Sequence, residues 1–263
     1  MRPFCLLGRR TSARTGGLPS VYKLGGVATW FRRKPRRIDS PRVRPRSEEL
    51  ATTKVELIEF TPPLIEFLGR AAYIELTLFE NLSRAISTAP TVSAKAALGR
   101  GAELTLARHR TLLDELAAAG ADPAEAMNPY TKPADEFERE THGGDWYETV
   151  LTCYLTTGFL DDFLGKLAAG LPHDAARIAA IFGGETAETT LATELETAIE
   201  AHPRLASRLA MWGRRLVGDT MLLARSALVY SADHLSDEAR IEPVFSELIA
   251  AHTRRMDALG LTA

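Results

Sequence analysis

The chain has 263 residues, 45% of them hydrophobic, enough to bury one large core or two small ones. Its net charge of −2 conceals a split. Residues 1–46 hold thirteen Lys and Arg against Asp39 alone, net +12, while the other 217 residues hold 19 basic and 33 acidic side chains, net −14. A body so acidic is a poor match for broad electrostatic binding of nucleic acid. Cys5 and Cys153 are the only cysteines, which excludes a disulfide framework or a thiolate metal cluster and fits a reducing cytoplasm. No apolar run approaches the roughly 20 residues needed to cross a bilayer, and no secretory signal core is present, so a soluble cytoplasmic protein without a membrane partner is expected.

Residues 1–46 carry two Gly-Gly pairs, five prolines and the cluster FRRKPRR, with no surviving period, and are expected to form a disordered basic arm. Three readings of the arm compete: an extension from an upstream start codon, a nucleic-acid or membrane-surface arm, and an Arg-rich targeting peptide. The first is favoured because nothing in the body, residues 47–263, needs the segment.

From residue 64 onward the pattern is helical almost without relief. The first helix is expected from about Leu64 to Ser87, with the stripe Leu68, Ala71, Glu75, Leu78, Leu82 and Ala85. Glu75 interrupts its apolar residues. A second helix, about Ser93 to Ala119, stops at Gly120 and carries the stripe Leu98, Ala102, Leu106, His109, Leu113 and Leu116. His109 reads either as a satisfied core histidine or as a metal ligand. The Pro-rich residues 121–144 form a connection long enough to cross between helix pairs.

The third helix, Asp145 to Leu164, shows Glu148, Leu151, Leu155, Phe159 and Asp162 on one face. Glu148 follows Asp145 at the spacing of a capping box, so a helix-start role competes with a ligand role. Asp162 is expected to be buried and paired with Arg208 or Arg215. The fourth helix, about Asp174 to Ala201, places Glu185 and Glu188 on its stripe, although a surface reading and the Gly183-Gly184 pair compete. Two further helices are expected, from Pro203 to about Tyr230 and from Pro243 to about Leu259.

Each of the first four helices thus carries a metal-ligand residue type on its stripe: Glu75, His109, Glu148, and the pair Glu185 and Glu188. Carboxylates and an imidazole converging in a dry core suit iron or manganese. Four-helix bundles that hold two irons use single Glu residues on two helices and Glu-x-x-His on the other two, the order seen here. Leu106 stands where the second helix should carry Glu, and Glu188 where the fourth should carry His, so the site is incomplete.

The segments AYIELTLFENL (72–82), DWYETVL (145–151), GFLDDF (158–163), LAMWGRRLVGD (209–219) and AAHTRRMDALGL (250–261) resemble a bacterial family of ferritin-like proteins similar to the tRNA 2-methylthio-isopentenyl-adenosine hydroxylase. The resemblance spans about residues 60–261. It implies an all-α, ferritin-like four-helix bundle with additional C-terminal helices, iron as cofactor with Glu75, His109 and Glu148 at the family's ligand positions, and a tRNA or small-molecule substrate; the helical stripes add Glu185 and Glu188 to the candidate metal ligands, and a homodimer is an assembly to test. Two functions remain in competition. One is a non-haem di-iron or single-iron hydroxylase, with Asp162, Arg214 or Arg215 near the metal or substrate. The other is a metal-free ferritin-like binding or scaffold protein whose buried carboxylates pair with Arg208 or Arg215. A helical transcription regulator is ruled out, because no helix–turn–helix with a basic recognition helix precedes the bundle.

Overall fold

Two long helices joined by the three-residue link Ala89-Pro90-Thr91 begin the body: α1 (Leu64–Thr88) and α2 (Val92–Ala118). Proline restricts the residue before it to extended backbone, which ends α1, and Thr91 caps α2 by accepting a hydrogen bond from the Ala94 amide. So short a link leaves the two helices antiparallel, packed along their full length. The computed structural model describes residues 57–262, so the expectations for the basic arm lie outside the described residues.

The connection contains α3 (Pro123–Met127) and α4 (Thr131–Thr141), both packed on α1. The chain then enters α5 (Trp146–Ala168), followed by α6 (Ala175–Phe182), α7 (Glu188–Ala201), α8 (Arg204–Arg225) and α9 (His234–Ala258). No strand occurs among the described residues, and none of their helices is long and apolar enough to cross a membrane.

Helices α1, α2, α7 and α5 close a ring of neighbours, with α6 continuing the α7 corner and α8 and α9 covering the outer side of α5. The expected all-α four-helix bundle with extra C-terminal helices is therefore what forms. Its centre is α5, sixteen of whose 23 residues are buried. The periodicity of α5 suggested a single buried stripe. A helix wrapped by α1, α6, α7, α8 and α9 is instead apolar nearly all round.

Three further boundaries differ from expectation. The fourth helix is broken into α6 and α7, because the Gly183-Gly184 pair offers little resistance to leaving helical geometry. Helix α8 ends at Arg225 rather than near Tyr230. Helix α9 begins at His234, capped by Asp233, and runs through Pro243, which the sequence suggested as its start.

Buried side chains form two apolar clusters at opposite ends of the bundle. One holds Phe67, Leu112, Phe159 and Phe182; the other holds Leu82, Leu98, Leu155 and Leu191. On α2 the clusters are separated by Thr105, Arg108 and His109, and between α6 and α7 by Gly183–Thr186. A polar layer therefore crosses the bundle at mid-height.

Candidate functional site

The centre of that layer is Arg108, a guanidinium with only 7% of its side chain exposed. It projects from α2 between two carboxylates. Its Nη1 donates to Glu75 Oε1 on α1 at 3.0 Å and to Asp161 Oδ1 on α5 at 2.5 Å. Its guanidinium carbon also lies 5.9 Å from the centre of the Phe182 ring. A charge this deep is tolerable only when paired, and here one cation serves two anions.

The imbalance shows in the protonation equilibria. Burial pushes Asp161 up to about 7, with Arg108 opposing and Glu75 adding to the rise. Burial likewise raises Glu75, and Arg108 pulls it back. Asp161 Oδ2 is buried without a hydrogen-bond partner among the described residues. One guanidinium thus faces two carboxylates whose charged forms burial disfavours.

A second arginine repeats the arrangement one residue further along α5. Arg255, from α9, donates through Nη1 to Asp162 Oδ2 and through Nε to Glu188 Oε1, both at 2.9 Å. Asp162 was expected to pair with Arg208 or Arg215 while buried. It pairs with Arg255 instead, with 38% of its side chain exposed, because α9 rather than α8 covers that side of α5. Arg215 lies toward α4, where its Nη2 donates to the Glu140 carbonyl.

The five residues proposed as ligands are distributed as follows. Glu75 is in the Arg108 cage. His109 is buried and hydrogen-bonded through Nδ1 to the Ala72 carbonyl at 2.9 Å; a carbonyl only accepts, so Nδ1 carries the proton. Glu148 lies at the start of α5, where its Oε2 accepts from the Gly144 amide and Asp145 Oδ1 accepts from the Glu148 amide, a reciprocal box reinforced by Arg208. Glu185 is exposed in the break between α6 and α7, on the rim of a narrow crevice that reaches Arg108. Glu188 is held by Arg255.

Among the described residues no three His, Cys, Asp or Glu side chains gather as they would around an ion. The Glu75 carboxylate already faces a guanidinium, and Glu188 another, so neither is free to hold an ion. These residues do not fit iron. Leu106, expected to fill a bridging position, is only half-buried and belongs to neither apolar cluster, and the side chain beside Glu75 is Arg108.

Arg108, Asp161 and Arg255 do not stand out in the sequence, where the arginines of α8 are the nearest candidates to pair with buried carboxylates. The expected stripe of α2 holds at Leu98, Ala102, His109 and Leu116, but the buried face is wider and takes in Thr105, Arg108 and Leu112, while Leu106 and Leu113 are only partly buried. The signal was present as the adjacent pair Asp161-Asp162 on an otherwise apolar helix, which needs two cations.

A helical bundle with a mid-height layer of carboxylates is the ferritin-like architecture. A family model described as a ferritin-like domain of actinomycetes matches residues 59–240, and the chain belongs to that family. No curated protein matches the chain.

Proposed function

We propose that this ferritin-like protein is a binding or scaffold protein in which arginine takes the part that a metal would play in holding the bundle's carboxylates together. The observation that carries this reading is Arg108 lying between Glu75 and Asp161. A resident guanidinium offsets one of the two carboxylate charges, fills the space between α1, α2 and α5, and occupies the carboxylate oxygens that a metal would need. The competing iron hydroxylase needs Glu75, His109 and Glu148, with Glu185 and Glu188 from the fourth stripe, as a common ligand set, and their positions give it little support. The strongly acidic body favours a small molecule over tRNA as the partner.

Calorimetric titration with ferrous and manganous ions under anaerobic conditions tests the reading. The expected result is no saturable binding in the folded protein. Saturable binding near one ion per chain that disappears in Glu75→Gln would overturn it and restore the hydroxylase.

A further inference from the structure

On another face of α5, away from both arginines, a small cavity lies between α1, α4, α5 and α8. Its volume is about 20 Å³, enough for one water-sized group. Thr156 lines it, wholly buried, and its Oγ1 has no hydrogen-bond partner among the described residues. The neighbouring hydroxyls differ: Thr77 donates to the Tyr73 carbonyl, and Thr152 donates to the Thr141 carbonyl while accepting from Trp212 Nε1. Most buried hydroxyls are satisfied, so an unpartnered one in a cavity wall marks a place for a polar group from outside.

The cavity has a neighbour. Phe137 and Leu223 line it on one side and on the other line a surface groove of about 330 Å³ between α4 and α8. These two side chains are thus the partition between groove and cavity. Helix α4 itself is fixed. Asp135 and Glu138 are tied to Tyr73 and Arg84 on α1, and the Glu140 carbonyl to Arg215 on α8, so the Phe137 rotamer is the simplest way through. The charged groups around the groove are already paired, Lys132 with Glu136, Arg139 with Glu140 and Arg215 with Asp219, so its rim offers no unbalanced charge to an ionic ligand.

We infer that the cavity and groove together bind a neutral, primarily aliphatic molecule bearing one terminal hydroxyl, with the hydroxyl on Thr156 and the chain running past Phe137 and Leu223. This deepens the binding reading, but it does not share a residue with the Arg108 cage. Metal titration tests the cage and alcohol binding tests the cavity, so either can fail alone.

Straight-chain alcohols from ethanol to 1-hexanol are the probes, followed by amide chemical shifts on the full chain, with hexane as the control lacking a hydroxyl. Saturable shifts around Thr156 and Phe137 are expected, with affinity rising along the series and hexane weaker than 1-hexanol. Thr156→Val, which keeps the shape, should weaken 1-hexanol about 2–10-fold, the worth of one hydrogen bond, and leave hexane unchanged. Phe137→Ala should bind the longer alcohols more tightly. The inference is overturned if neither the parent nor Phe137→Ala shows saturable shifts, which would leave water as the occupant. It is equally overturned if Thr156→Val melts higher than the parent while binding 1-hexanol equally well.

Discussion

Arg255 lies directly against the backbone of Gly158: a Cβ at position 158 would overlap its guanidinium. The bare glycine on α5 lets an arginine from α9 reach Asp162 and Glu188 together. Local helix propensity would favour alanine here, so the close approach explains the glycine.

Gly158→Ala is expected to push Arg255 out of its seat and to destabilise the fold by about 1–3 kcal/mol despite the better helix former. Urea unfolding checks this. A stability equal to or above that of the parent would show that Arg255 repacks without loss.

Replacing Arg108 with Met should be more damaging, by roughly 3–5 kcal/mol, because it strands two buried carboxylates. Adding Glu75→Gln and Asp161→Asn to Arg108→Met should recover part of that loss, since no buried charge then remains unpaired. Comparing the triple variant with the three single variants measures the coupling. Additive losses would show that the three groups act independently.

The fold should also respond to pH. Asp161 titrates at about 7 in the folded chain against 3.8 for a free side chain, so between those values the folded state holds a proton that the unfolded state has lost. Stability contributed by that proton is therefore lost as pH rises from 3.8 to about 7, with a limiting slope of about 1.4 kcal/mol per pH unit. Unfolding midpoints measured in this window should fall with rising pH in the parent and fall less in Asp161→Asn. Identical slopes in both proteins would place the titration elsewhere.

At the start of α5, Asp145 and Glu148 act as a cap. Asp145→Ala should cost about 1 kcal/mol, measured by thermal melting, through loss of the hydrogen bond to the Glu148 amide. A change below a few tenths would mean that Arg208 and the rest of the box hold the helix start unaided.

The helices were legible in the sequence because their apolar residues recur at helical spacing, and Gly120 and Asp145 mark ends that the structure keeps. Glu75 and His109 were correctly placed in the interior for the same reason. The partners of the carboxylates were not legible. Arg108 and Glu75 are 33 residues apart and Arg255 and Asp162 are 93 apart, so their pairing depends on which helices become neighbours. Periodicity does not carry that information. Nor does it reveal a helix buried all round, as α5 is, where each of its faces has its own neighbour.

Iron per chain, measured by elemental analysis of protein purified from iron-supplemented cells, tests most directly whether arginine stands in place of metal. The parent and Glu75→Gln should both hold far less than one iron per chain, with no difference between them. One or two irons per parent chain, absent from Glu75→Gln, would contradict the arginine cage and return Glu75 to the role of a ligand.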